Sequence, residues 1–158
     1  VSAEILAGGS KACEYGCMGL GSCSDACRYN AISVSKDNAV AKVDYGVCTS
    51  CGACISTCPK HIIGRIPVDA VVYVACSSLC RGKEVMTACE KGCIGCGKCE
   101  RNCPSQAIKL INNLAVIDYD KCVKCGNCAE VCPRKCILPF PDERPLIPPY
   151  KPGERSAE

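Results

Sequence analysis

Tryptophan is absent from this sequence, phenylalanine occurs once (Phe140), histidine once (His61) and tyrosine six times. Few large side chains are available to fill a core, so cohesion must come from another source, as it commonly does in small folding units. No apolar stretch reaches the roughly 18 residues that suggest a membrane-spanning helix. The longest, VDAVVYVAC from Val68, is shorter and contains Asp69. A signal peptide, with its charged start and apolar middle, is missing too. There is no phosphate-binding glycine loop, no GxGxxG after a strand, and no histidine placed to serve a cysteine or serine as base. His61 falls in a loop and is read as a surface residue. These absences leave the chain without catalytic residues of its own and without a nucleotide site. It begins at Val1 rather than at methionine, which leads us to expect an upstream segment.

What the sequence has instead is cysteine, 20 of 158 residues. Secreted disulfide domains scatter cysteines at irregular spacings, zinc ribbons use two separated CxxC pairs, and ferredoxin-type iron–sulfur sites use three closely spaced cysteines followed by a fourth and a proline. Three runs fit CxxCxxCxxxCP without a defect: Cys48, Cys51, Cys54 and Cys58 before Pro59; Cys93, Cys96, Cys99 and Cys103 before Pro104; Cys122, Cys125, Cys128 and Cys132 before Pro133. Cysteines three apart let successive thiolates turn inward around one compact cube, while Gly52, Gly97 and Gly126 let the backbone come close and aim N–H groups at its sulfides. Neither zinc nor a disulfide framework explains three such runs. The formal charge of +3 counts every cysteine as neutral. Four oxidised [4Fe–4S] centres at roughly −2 each move it to about −5, so the mild basicity is no sign of nucleic-acid binding.

The runs belong to a repeat. Cys13, Cys17, Cys23 and Cys27 match Cys89, Cys93, Cys99 and Cys103 at one constant offset, and VDYGVCTSCGACISTCP from Val43 matches IDYDKCVKCGNCAEVCP from Ile117. Within each copy, residues 31–35 and 107–111 alternate as strands, with residues 39–43 and 114–117 as their hairpin partners. Lys36-Asp37-Asn38 and Asn112-Asn113 carry turn chemistry at the tips. Segments after the third cysteine, such as residues 97–103, suit a short helix ending before Pro104. Between the copies, residues 66–74 read as a strand and residues 82–88 as a helix. The expected fold is α+β: two tandem two-cluster bacterial-ferredoxin-like domains at residues 1–62 and 89–137, joined by a strand–helix linker at residues 63–88. A Pro-rich tail, residues 138–158, is expected to be extended or disordered.

In two-cluster ferredoxins the fourth cysteine of each run binds the other cluster. That rule gives one cluster to Cys93, Cys96, Cys99 and Cys132, a second to Cys122, Cys125, Cys128 and Cys103, and a third to Cys48, Cys51, Cys54 and Cys27. Cys17, Cys23 and Cys58 remain for a fourth, with Leu20 standing where Cys96 stands in the other copy. Two options follow: Cys13, the nearest spare thiol, completes a [4Fe–4S] cluster, or three ligands hold a [3Fe–4S] cluster. We expect the first. Cys136 takes the place of Ala31 and Ala107 in the sister motifs and reads as a small buried residue, and Cys76, Cys80 and Cys89 are one thiol short of a cluster site. Arg28 replaces the usual proline, and an arginine beside a cluster favours its reduced state.

KACEYGCMGLGSC, VMTACEKGCIGCGKCERNCP and NNLAVIDYDKCVKCGNCAEVCP together resemble the B-subunit family of the Rnf complex, the ion-translocating ferredoxin:NAD oxidoreductase of anaerobic bacteria. The resemblance covers residues 5–137. It implies an electron-transfer polyferredoxin that takes electrons from soluble ferredoxin and passes them to membrane subunits, coupled to Na⁺ or H⁺ export. It also implies an upstream membrane-anchoring helix, a further cluster domain, and a place at the cytoplasmic face of the membrane. The competing readings are a polyferredoxin module of a soluble hydrogenase or electron-bifurcating oxidoreductase and, behind both, a non-redox metal scaffold.

Overall fold

A computed structural model describes residues 13–36 and 39–140. Its elements are short: α1 (Ser22–Asp25), β1 (Ile32–Val34), β2 (Ala41–Val43), α2 (Ala53–Thr57), β3 (Val72–Val74), α3 (Gly82–Ala88), α4 (Lys98–Arg101), β4 (Ile108–Ile111), β5 (Leu114–Ile117), α5 (Asn127–Glu130) and β6 (Ile137–Pro139). The chain is thus a mixed helix and strand protein whose elements follow the cysteine runs. Helices α1, α2, α4 and α5 each begin directly after a glycine in the left-handed region, Gly21, Gly52, Gly97 and Gly126. Residues with a Cβ adopt that region with strain, so the glycine sets where each helix can start.

Both expected hairpins form. β1 pairs antiparallel with β2, Ile32 opposite Val43, and β4 with β5, Ile108 opposite Ile117. The same bond extends each ladder by one rung: Asp44 N–H donates to the Ala31 carbonyl at 2.7 Å and Asp118 N–H to the Ala107 carbonyl at 2.6 Å. The next residues turn the chain into a cysteine run through a side-chain-locked turn, Gly46 N–H on Asp44 Oδ1 at 2.9 Å and Asp120 N–H on Asp118 Oδ1 at 3.1 Å. Asp and Asn favour this self-bonded turn, which is why aspartate recurs there. The first hairpin's tip residues, Asp37 and Asn38, lie outside the described residues.

The linker departs from expectation. Helix α3 spans residues 82–88 as read, its start held by Glu84, whose carboxylate accepts from Arg81 N–H at 3.1 Å. Of residues 66–74, only Val72–Val74 is strand, because residues 68–69 turn. That strand pairs antiparallel with β6, Val74 opposite Ile137 and Val72 opposite Pro139. Residues 138–140, the start of a tail expected to be extended or disordered, are extended and close a sheet with the linker, and Phe140 N–H continues it onto the Val71 carbonyl at 2.9 Å. Pro139 is tolerated because this sheet has only two strands, both of them edges. The rest of the tail, residues 141–158, and residues 1–12 lie outside the described residues.

One apolar cluster gathers Val72, Ile108, Ala115 and Ile137 with Cys93, Cys99 and Cys136. Its largest fully buried side chains are two isoleucines, Ile108 and Ile137, while cysteines supply much of the remainder. The single phenylalanine lies at the seam: Phe140 packs on Tyr73 at 4.7 Å between ring centroids and edge-on against Tyr45 of the first repeat at 5.6 Å. Offset and edge-to-face ring pairs of this kind are favourable beyond the area they bury.

Candidate iron–sulfur centres

Each cysteine run adopts one backbone path, repeated around the molecule. Two residues past the first cysteine stand Gly19, Ser50, Gly95 and Lys124, and four past it Gly21, Gly52, Gly97 and Gly126, all with positive φ. Three past the closing cysteine, Asn30, His61, Gln106 and Lys135 again take positive φ, between 48 and 52°. Their N–H groups close tight turns on the carbonyls of Cys27, Cys58, Cys103 and Cys132 at 3.1 to 3.2 Å. The turn sends the next N–H back onto the cysteine sulfur, Ala31 on Cys27 Sγ and Ala107 on Cys103 Sγ, both at 3.3 Å. His61 is thus an exposed turn residue, as its isolation in the sequence suggested. The fourfold left-handed turn itself was not legible, because four unlike side chains occupy it.

The first run keeps this path despite its missing cysteine. Gly19 and Gly21 have φ of 72 and 81°, against 64 and 70° for Gly95 and Gly97. A Cβ on Gly19 would lie 2.6 Å from the Ala39 Cβ, so the residue is fixed by contact as well as by conformation.

Two cavities show which cysteines come together. In the second repeat, one is lined by Cys93, Cys96, Cys99 and Cys132, with Cys136, Arg134, Leu110 and Ala115 completing its wall. The closing cysteine on that wall belongs to the later run, in the crossed pattern. In the first repeat, a cavity is lined by Cys17, Cys23 and Cys58 with Leu20, Val34 and Ile62. The crossing appears here too, since Cys58 closes the later run. Leu20 takes the position of Cys96 and is 42% exposed. Cys13 is not among the lining residues. Its charge adds to the upward push on the Tyr15 hydroxyl, which desolvation dominates and Cys80 and Glu14 share. Cys48, Cys51 and Cys54 gather in the first repeat and Cys122, Cys125 and Cys128 in the second, each set close enough for its thiolates to repel.

That repulsion is the electrostatic signature of the sites. Cys23, Cys54, Cys99 and Cys128, at the third ligand position of each run, are all pushed up, first by burial and then by neighbouring thiolates, Cys99 to about 11. For Cys23 the repelling neighbours are Cys17 and Cys58. Cys27 is held down by the N–H groups of Tyr29 and Ala31. At Cys103 and Cys132 burial opposes ionisation, but hydrogen bonds from Ser105 and Ala107, and from the Cys136 and Arg134 backbone, outweigh it. Cys93 is lowered to about 5 by a hydrogen bond from Cys136, whose own thiol is correspondingly raised. Several thiolates crowded around a cavity, with N–H groups aimed at their sulfurs, fit an iron–sulfur core that carries positive charge between them. Among the described residues no three His, Cys, Asp or Glu side chains close on a single-ion point. Cysteines of two of the sites line cavities instead.

Of the remaining expectations, Cys76 Sγ accepts from Ser78 N–H at 3.5 Å and from Cys93 N–H at 3.4 Å, so it lies against the backbone of Cys93. Arg28 is exposed. Cys136 is buried, as the alanines at its sister positions 31 and 107 suggested, at 3% exposure. The sequence did not reveal that it reaches two other cysteines. Among the described residues no helix is long and apolar enough to cross a membrane.

The family model for the 4Fe–4S dicluster domain matches residues 12–62 and again residues 92–136. Two dicluster matches and this cysteine complement fit four [4Fe–4S] clusters. Among curated proteins, the chain is 44% identical over 135 residues to the B subunit of the Na(+)-translocating ferredoxin:NAD(+) oxidoreductase complex of Acetobacterium woodii, covering 85% of this chain and 40% of that protein. It is 44% identical to the B subunit of the ion-translocating oxidoreductase complex of Methanosarcina acetivorans, covering 75% of this chain and 45% of the relative. With the B subunit of the proton-translocating ferredoxin:NAD(+) oxidoreductase complex of Clostridium ljungdahlii it shares 45% identity, covering 75% of this chain and 41% of the relative. The chain therefore spans less than half the length of these relatives.

Proposed function

Because the chain belongs to the 4Fe–4S dicluster domain family, we propose that it is an electron wire. It carries one pair of clusters in each of two ferredoxin-like units, residues 1–62 and 89–137, bridged by the linker at residues 63–88. The observation that carries this reading is the crossed wall: in each repeat a cavity is closed by a cysteine of the later run, Cys132 in one and Cys58 in the other. Crossing makes the two sites of a unit share one small scaffold, so an electron on either has a near neighbour. Completing the pattern gives ligand sets of Cys93, Cys96, Cys99 and Cys132; Cys122, Cys125, Cys128 and Cys103; and Cys48, Cys51, Cys54 and Cys27.

For the remaining site the geometry favours Cys17, Cys23 and Cys58 alone, with Leu20 at the open corner, over recruitment of Cys13. A cluster held there would lack a cysteine ligand at one corner, and these three residues alone would also suit a [3Fe–4S] form. The bound clusters supply reversible one-electron storage. The chain's own residues hold them with thiolates, point backbone N–H groups at the sulfurs, and bury Cys58, Cys93 and Cys99 away from water.

The relatives named above are B subunits of ion-translocating oxidoreductase complexes. We therefore assign the donor as reduced soluble ferredoxin. The acceptor is a membrane subunit of an Rnf-type ferredoxin:NAD oxidoreductase, with this part of the protein at the cytoplasmic face and ion export driven elsewhere in the complex. Anaerobic stopped-flow mixing of the cluster-loaded chain with reduced ferredoxin tests this. The expected result is rapid bleaching of the visible band together with reoxidation of the ferredoxin. Bleaching by dithionite but not by ferredoxin overturns the assignment of the donor.

A further inference from the structure

Five cysteines, one more than a four-iron cube requires, line the cavity of the second repeat. The fifth, Cys136, is 3% exposed, and its sulfur is 3.6 Å from that of Cys132. The sister positions, four residues past each closing cysteine, are Ala31, Ile62 and Ala107, none of which has a polar side chain. A second feature stands beside it. Arg134 lines the same cavity, and its guanidinium is pinned where Nη2 donates to the Cys89 carbonyl at 2.5 Å. Arg134 Nε is sealed from solvent with no hydrogen-bond partner among the described residues. Its sister residues are Tyr29, Lys60 and Ser105. A buried N–H without an acceptor is costly, and native structures rarely keep one unless something supplies the acceptor. A thiolate-ligated iron–sulfur cluster is anionic and presents sulfur acceptors, and hydrogen bonds to those sulfurs tune its potential.

We propose that Arg134 and Cys136 are hydrogen-bond donors to the cluster held by Cys93, Cys96, Cys99 and Cys132. They raise its reduction potential above that of its partner at Cys122, Cys125, Cys128 and Cys103, and so make it the electron sink of the second repeat. Cys136 is a donor and not a ligand: four cysteines complete the set without it, and its place behind Cys132 points its S–H at a ligand sulfur. The favourable interaction grows as the cluster gains an electron, because donors stabilise the more negative state. The exposed Arg28 of the first repeat has water to screen it, whereas the Nε of Arg134 is sealed from solvent. This proposal rests on the ligand sets given under Proposed function.

EPR-monitored redox titration of the anaerobic, cluster-loaded chain tests it, with iron and sulfide counted first. Cys136→Ala and Arg134→Gln are each expected to keep the full iron content and to lower the potential of one cluster. The reduction equilibrium should fall about tenfold or more, which is about 59 mV for a one-electron couple. The other clusters should stay where they are. Cys136→Ser keeps a donor and is expected to shift that potential by less than Cys136→Ala. Unchanged potentials in both Cys136→Ala and Arg134→Gln overturn the proposal. So does loss of one cluster in Cys136→Ala, which makes Cys136 a ligand. Too little iron in the unsubstituted protein contradicts the ligand sets themselves, and that failure is visible before any variant is compared.

Discussion

Leu20 is a substitution inside a loop that has otherwise not changed. Its flanking glycines keep the left-handed path of the complete runs, and its side chain stands at the rim of a cavity walled by Cys17, Cys23 and Cys58. Leu20→Cys should therefore place a thiol where Cys96 stands in the second repeat, without disturbing the backbone. The unsubstituted protein is expected to show a [3Fe–4S] EPR signal after brief exposure to air, and this variant to suppress it. Cys13→Ser supplies the control. If it leaves iron content and spectrum unchanged, the three-cysteine site stands; if it removes one cluster, Cys13 is a ligand and Leu20 has been compensated. That a cysteine was missing at residue 20 was plain in the sequence. Whether Cys13 fills the gap is not written in the spacing, because adjacency along the chain says little about where a turn points its side chains.

At the scale of elements, strand pairing and turn chemistry make separate predictions. Ile137 of β6 is fully buried against the apolar cluster and pairs with Val74 of the linker strand. Ile137→Ala removes a large side chain from a buried site, so a loss of about 2–5 kcal/mol is expected. Denaturant unfolding of the anaerobic cluster-loaded protein measures it. The turn before the last cysteine run makes the second prediction. Asp118 accepts from Asp120 N–H and pairs with Lys121 at 3.1 Å, and its carboxyl is held below the usual carboxylate range chiefly by Lys121. A depressed folded-state pKa contributes stability that is present above the unfolded value and is lost as pH falls through the folded one. Asp118→Asn should therefore flatten the acid limb of the stability profile, by a small amount because the pair is exposed. Thermal unfolding at a series of acidic pH values reads this out. The hairpins and helix α3 were legible because alternation and helix-forming residues act locally. The β3–β6 pair was not, since its strands lie more than sixty residues apart and one contains Pro139.

For the molecule as a whole, the scarcity of aromatic side chains and the number of buried cysteines lead to one outcome. The apolar cluster is built around Ile108 and Ile137, and Cys93, Cys99 and Cys136 fill space that larger residues take in other domains. Without iron, the cysteines of each site lose the bonds that tie separate runs of the chain together, and the described apolar core is small. Anaerobic removal of iron by a chelator should abolish the cooperative thermal transition and most of the far-UV circular dichroism. Reconstitution with iron and sulfide should restore both. A chain that keeps its transition after losing its iron contradicts this coupling. The two repeats also meet, through Tyr45 on Phe140, so loss of clusters in one should be felt in the other.

The sequence by itself determined the chemistry: cysteine spacing and the glycines between the cysteines specify local backbone paths, and local paths repeat wherever the same spacing recurs. It determined the hairpins for the same reason, with Asp44 and Asp118 marking the turns out of them. Tertiary structure alone decided the contacts made between distant parts of the chain. It brought the single phenylalanine to the seam between the repeats, paired the linker with the start of the expected tail, left Cys13 off the wall of its cavity, and set Arg134 and Cys136 against the second. Side-chain direction and long-range pairing depend on what the rest of the chain packs against each position, and spacing along a sequence does not record that.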